Sequence, residues 1–139
     1  MDFNVHRRRY GDQTIVAVSG DVDVGSSPGL RVFLLGLVED GARRLVIDLD
    51  GATFLDSTGL GVFIGVSRRL GALNGELVFA GGPPGVREVF DVTHLARVFD
   101  MYGTVEQAVA GGGRGGGGRR RGPGGGGGPG RGRGGRPEG

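Results

Sequence analysis

From Leu45 to Leu70 the chain reads LVIDLDGATFLDSTGLGVFIGVSRRL: an aliphatic strand pattern, a short polar break, and an apolar helix opening at Asp56-Ser57-Thr58-Gly59. This junction constrains the fold more than any other stretch. Val46, Ile47 and Leu49 form the β-branched and aliphatic run of a buried strand, Gly51 interrupts the run, and a helical pattern resumes after it. A strand that feeds a helix in this way presents a hydroxyl at the helix start. Ser57 suits the N-cap, because its side-chain oxygen accepts a hydrogen bond from an unpaired N–H of the first turn, and the Asp56 carboxylate suits the positive end of the helix dipole. The position also suits a phosphate. Phosphoserine carries roughly −1.5 to −2 charges at neutral pH, and helix N-termini meet such charge with free N–H groups.

Around this junction strands and helices alternate. Phe3 and Val5, followed by the Tyr10-Gly11-Asp12-Gln13 turn and Thr14 to Ser19, read as a β-hairpin. Ser26-Ser27-Pro28 supplies a capping residue and a first-turn Pro for a helix running to about Asp40, with Leu30, Phe33, Leu34, Leu37 and Val38 on its sheet-facing side. A strand at Leu45 to Leu49 follows, then the helix from Ser57 to about Leu73, in which Phe63, Val66, Leu70 and Leu73 make the core stripe. Leu60, Val62 and Ile64 fall to either side of that stripe and are expected to leave some apolar surface exposed. Glu76 to Ala80 is a strand, Val86, Val89 and Phe90 mark a short helix, Val98 to Met101 is a last strand, and a helix spans Thr104 to Ala110. This order predicts an α/β domain with a mixed sheet, right-handed crossovers, and helices packed mainly on one face.

Composition divides the 139 residues in two. Of the 29 residues from Gly111 to Gly139, 18 are Gly, seven Arg, three Pro and one Glu, so this stretch has no side chains from which to build a core and is expected to be a disordered tail. Residues 1–110 are of ordinary size for one domain. The overall charge of +2 conceals a mildly acidic domain, net −4, joined to a tail of net +6. The chain has no Cys, which removes disulfides, thiolate metal sites and thiol chemistry. His6 and His94 belong to no ligand spacing, so neither a metal nor a cofactor is expected. Gly59-Leu60-Gly61 is followed by neither a Gly-Lys-Ser/Thr nor a GxGxxG spacing. The acidic loops lack a partner group with an assignable acid or base role, so an enzyme is not expected. No apolar run reaches the length of a membrane span, MDFNVHRRRY lacks the apolar segment of a signal peptide, and the cytoplasm is the expected compartment.

Four stretches stand out together: Gly20-Asp21-Val22-Asp23, Leu45-Val46-Ile47-Asp48-Leu49, Phe54-Leu55-Asp56-Ser57-Thr58-Gly59-Leu60-Gly61-Val62, and Val89-Phe90 with Thr93, Leu95 and Phe99. In these the chain resembles the STAS domain proteins, and among them the bacterial anti-sigma factor antagonists. The resemblance covers residues 3 to about 109, and its nine-residue stretch at the strand-to-helix junction is the specific part. It implies that Ser57 is phosphorylated by a partner anti-sigma factor that is itself a serine kinase and uses ATP, this chain being substrate rather than catalyst. It further implies that the unphosphorylated form binds that partner and frees a sigma factor, that the phosphorylated form is released, and that a phosphatase restores it. Asp23 matches an acidic residue near the serine. Asp21 stands where the family more often has Glu, and His94 where it more often has Gly, which alters the backbone freedom of a loop after the third helix.

The residues expected to meet the partner are Asp23, Asp56, Ser57, Thr58, Gly59, Leu60, Gly61 and Ile64. Gly59 and Gly61 would allow close backbone approach, Leu60, Val62 and Ile64 would supply apolar contact, and a dianion at Ser57 would be buried unpaired among acidic neighbours. Each residue also has a plainer reading: Ser57 as a cap, Asp23 and Asp56 as turn and capping residues, Leu60 and Ile64 as core. Two other functions compete. Arg114-Gly115-Gly116 and Arg133-Gly134-Gly135 resemble RGG segments of RNA-binding proteins, although the tail has no aromatic residue for base stacking. A STAS module can also act as a scaffold without being phosphorylated.

Overall fold

The computed structural model describes residues 2–112. Of the tail expected from Gly111, the first two residues end a helix, and the rest, from Gly113 onward with the RGG stretches, lies outside the described residues. Strands β1 (Asn4–Tyr10) and β2 (Gln13–Val22) form an antiparallel hairpin turned at Gly11, whose φ of 62° lies in the left-handed region. Next come α1 (Ser27–Glu39), β3 (Arg44–Leu55), α2 (Ser57–Ala72), β4 (Glu76–Ala80), α3 (Pro84–Val92), a 3-10 turn at Leu95–Arg97, β5 (Met101–Tyr102) and α4 (Val105–Gly112). The sheet order is β1-β2-β3-β4-β5, with every pairing after the hairpin parallel. It is the mixed α/β sheet that the alternation of elements predicts.

Strand periodicity sorts the core into two layers. Val16, Ile47 and Phe79 point to one face, where they meet Leu30, Leu34 and Leu37 of α1, Phe63, Val66 and Leu70 of α2, and Val86 and Phe90 of α3. The alternate residues Ile15, Val46 and Val78 point to the other face, where Val105 and Ala108 of α4 cover them. Phe79 anchors the larger layer. Its ring lies 5.0 Å from that of Phe63, 4.7 Å from Phe90 and 5.1 Å from Phe99, tying α2, α3 and the approach to β5 to one side chain.

Two sequence expectations need correction. Gly51 does not end the third strand. β3 continues to Leu55 because the pairing with β2 shifts between Ala17 and Ser19 and again between Gly20 and Asp21, and Gly51 fits where a Cβ would come 2.8 Å from the Ser19 Cβ. Asp56 alone then separates β3 from α2. The last strand is not Val98 to Met101: Leu95–Arg97 form a 3-10 turn, Val98 is exposed, and pairing begins at Met101. The turn starts from His94 with a φ of 63°, so a non-glycine residue sits in the left-handed region after α3.

Candidate functional site

The parallel strands β2 and β3 end side by side at Val22 and Leu55. The chain then turns in both cases into a helix, so the loop before α1 and the start of α2 meet at one end of the sheet. The Asp56 amide donates to the Val22 carbonyl at 3.2 Å, which fixes the start of α2 against the end of β2. Gly59 is buried at this contact. A Cβ there would lie 2.6 Å from Val22 Cγ1, 2.8 Å from Leu55 Cδ1 and 3.2 Å from the Val22 carbonyl oxygen.

Ser57 is the first residue of α2 but not its cap. The N-cap is Asp56, in extended backbone geometry, whose Oδ1 accepts from the Thr58 amide at 2.9 Å and the Gly59 amide at 3.1 Å. A carboxylate outcompetes a hydroxyl here because it carries full charge toward the helix dipole and accepts two amides at once. The Thr58 hydroxyl donates to the same oxygen at 2.5 Å. These bonds hold the Asp56 carboxyl below the usual carboxylate range, the Thr58 hydroxyl contributing most and partial desolvation opposing it. With the Thr58 and Gly59 amides committed to Asp56, the helix start has no pair of free N–H groups for a phosphate on Ser57, contrary to the expectation from sequence. Ser57 itself is exposed, and its hydroxyl takes part in none of the hydrogen bonds among the described residues.

Asp23 lies across from this start in the loop between β2 and α1. Its Oδ1 accepts from the Gly25 amide at 3.0 Å and the Ser26 amide at 3.1 Å, so it organises the turn. Its carbonyl accepts from the Ser27 amide at 2.9 Å and the Ser27 hydroxyl at 2.6 Å. Ser26 occupies the N-cap position of α1 without capping it: its hydroxyl donates to the Asp21 carbonyl at 2.8 Å and accepts from the Asp23 amide at 3.0 Å. Ser27 Oγ also approaches Thr58 Oγ1 at 3.3 Å, linking the two helix starts. Asp21 accepts from the Thr53 hydroxyl at 2.7 Å, which lowers its carboxyl below the ordinary range. Asp21, Asp23 and Asp56 thus give this end of the sheet an acidic character.

The apolar part of the site differs from that expected. Leu60 and Val62 are buried, 5% and 7% exposed, and Ile64 is half-buried, because α2 packs these residues as well as its core stripe. The exposed apolar side chains at this end are instead Phe54 (51%) and Val24 (72%). Phe54 escapes sequence reasoning because it belongs to the strand extension beyond Gly51, where it alternates with buried Leu55. Gly61 is exposed, and a Cβ there would meet nothing within 4 Å. Among the described residues no group of three or more His, Asp or Glu is placed to hold a metal ion, and no helix is long and apolar enough to cross a membrane.

The sequence matches the family model described as STAS domain over residues 4–108. It is 34% identical over 109 residues to the anti-sigma-B factor antagonist of Bacillus subtilis (strain 168), covering 78% of this chain and 99% of that protein. The fold is similar to that of an anti-sigma factor antagonist from Mycobacterium paratuberculosis, with a TM-score of 0.74 and 26% identity, covering 79% of this chain and 93% of the other. A likeness of fold alone extends to the Bacillus cell fate determinant SpoIIAA in its phosphorylated form, with a TM-score of 0.61 and 23% identity over 78% of this chain and 97% of that one. With a strand-to-helix junction built around Asp56-Ser57-Thr58-Gly59 and a family match that spans almost the whole described domain, the chain belongs to the STAS domain family.

Proposed function

We propose that this protein is an anti-sigma factor antagonist whose binding is switched by phosphorylation of Ser57. The observation that carries the reading is the Ser57 hydroxyl, exposed and without a hydrogen-bond partner among the described residues, on the first turn of a helix whose cap is supplied by its neighbour Asp56. A kinase can reach such a group without unfolding anything. The protein needs no cofactor of its own, since the ATP belongs to the partner, an anti-sigma factor with serine kinase activity. A phosphatase returns the chain to its binding form, and the exchange takes place in the cytoplasm with the sigma factor it controls.

Unphosphorylated, the protein presents the exposed Phe54 and Val24 at the same end of the sheet as Ser57, together with the exposed backbone at Gly61, apolar and accessible surface suited to a protein partner. Phosphorylated, it places a dianion beside Asp56, with the Thr58 and Gly59 amides already used. The phosphate stays hydrated in the free domain, so the fold is undisturbed. In the complex it would be desolvated next to like charge, which is costly. The complex therefore dissociates while the domain survives.

The test is intact-mass analysis and phosphosite mapping of the full chain after incubation with ATP and candidate anti-sigma kinases, beside Ser57→Ala. One phosphate on Ser57, lost in the variant, with binding weakened at least about a hundredfold in Ser57→Asp, is the expected result. No phosphate from any candidate kinase, with partner binding retained, would instead identify a scaffold.

A further inference from the structure

Residues 57 and 58 offer two adjacent hydroxyls, both exposed, yet the structure treats them differently. The Thr58 hydroxyl donates to Asp56 Oδ1 at 2.5 Å and lies 3.3 Å from Ser27 Oγ, whose own proton has its shorter contact with the Asp23 carbonyl at 2.6 Å. The Ser57 hydroxyl has no such ties. We propose, resting on the reading of Ser57 as the phosphoacceptor, that Thr58 is a lock: bound to Asp56 and held against Ser27, it confines phosphoryl transfer to Ser57.

In the transfer, Ser57 Oγ forms a bond to the γ-phosphorus of ATP, the bond from that phosphorus to the β–γ bridging oxygen breaks, and ADP leaves. The Ser57 proton passes to a base on the kinase or to water. Asp56 is a weak base for this proton, because its Oδ1 already accepts three donors from Thr58 and Gly59 and its carboxyl is held below the usual carboxylate range. For Thr58 to react in the same way, its oxygen, held between Asp56 Oδ1 and Ser27 Oγ, must swing round to face the nucleotide, and that rotation breaks its charge-assisted hydrogen bond. Its β-branched side chain has few rotamers in a helix in which to do so. Successive helical residues also point about 100° apart, so a kinase aligned on Ser57 is misaligned for Thr58. Thr58 is thus a positioning residue, and Ser27 of α1 is its second support.

Two measurements on the 139-residue chain test this. With ATP and a kinase that modifies the wild type, Ser57→Ala is expected to stay unmodified. The double variant Ser57→Ala with Asp56→Ala is expected to gain phosphate on Thr58 at least about tenfold faster than Ser57→Ala alone, the factor one charge-assisted hydrogen bond supplies. Phosphorylation of Thr58 in Ser57→Ala at close to the wild-type rate overturns the proposal. The lock is read independently of any kinase by following the Asp56 carboxyl in an NMR titration: in Thr58→Val its pKa is expected to rise toward the ordinary value, and an unchanged pKa overturns the proposal. If no kinase modifies even the wild type while the Thr58→Val shift is seen, it is the assignment of Ser57 as phosphoacceptor that fails, and the selectivity claim falls with it.

Discussion

The carboxylate of Asp56 accepts the Thr58 amide at 2.9 Å and so closes the first turn of α2, leaving the intervening Ser57 with no structural duty. The two neighbours should separate cleanly in a stability experiment. Asp56→Ala removes the cap and should cost about 1 kcal/mol, whereas Ser57→Ala should change stability by less than about 0.5 kcal/mol, as for an ordinary surface substitution. Urea unfolding midpoints of the two variants check this. Equal losses would mean that the serine shares the capping role.

The two glycines that follow predict opposite outcomes. Gly59→Ala drives a methyl toward Val22 and Leu55 where the α2 start meets β2 and β3, and should cost about 1–3 kcal/mol. Gly61 has open space around it and lies inside the helix, so Gly61→Ala should stabilise by up to about 1 kcal/mol. Thermal unfolding separates them. A stabilised Gly61→Ala protein that binds its partner more weakly would locate close backbone approach at Gly61, since the fold does not require a glycine there.

Much of this architecture is legible in the residues. Helical spacing in α1 and α2, the aliphatic runs of β3 and β4, and the turn at Gly11 each reflect local preferences that the tertiary structure keeps. What was not legible depends on neighbouring elements. The extension of β3 past Gly51 depends on irregular pairing with β2, which no period within β3 reports, and the exposure of Phe54 follows from that extension. The cap at Asp56 rather than Ser57 depends on the extended backbone that β3 delivers to position 56, because both residue types are good caps and only the geometry chooses. Leu60 and Val62 fall outside a single helical stripe, but α2 packs against both the sheet and α1 and buries a wider arc.

Phe54 and Val24 should behave as interface residues without being core residues. Each has more than half its surface exposed, so Phe54→Ala and Val24→Ala should leave the thermal midpoint nearly unchanged. Loss of a large aromatic contact at an interface centre costs on the order of 2 kcal/mol, so Phe54→Ala should weaken binding to an anti-sigma partner roughly thirtyfold, measured by calorimetry. Unchanged affinity for Phe54→Ala would place the docking surface elsewhere on the domain.

His94 carries a conformational cost that a glycine would relieve. Its φ of 63° puts a residue with a Cβ in the left-handed region, at a cost of roughly 1–2 kcal/mol; glycine relieves that cost, but its greater entropy in the unfolded chain opposes folding and offsets part of the gain. His94→Gly should therefore raise stability by up to about 1 kcal/mol in urea unfolding. A destabilised variant would show that the imidazole makes contacts outweighing its backbone strain.

Acid sensitivity follows from the same carboxylates. The Asp56 carboxyl is lowered chiefly by the Thr58 hydroxyl and also by the Gly59 and Thr58 amides, and Asp21 is lowered chiefly by the Thr53 hydroxyl. A carboxyl with a depressed folded pKa binds fewer protons in the native than in the unfolded chain, so stability rises with pH across the interval between the two values. The contribution is complete above the unfolded value of about 3.9 and is lost as pH falls through the lower folded value. Asp56→Asn keeps a good cap while removing the titration. Urea midpoints measured from about pH 6 to about pH 2.5 should show the wild type losing more stability than Asp56→Asn below about pH 4, the difference between them changing only in that interval. Parallel curves would mean that the Asp56 carboxyl has the same pKa folded and unfolded, and that its bonds to Thr58 and Gly59 do not depend on its charge.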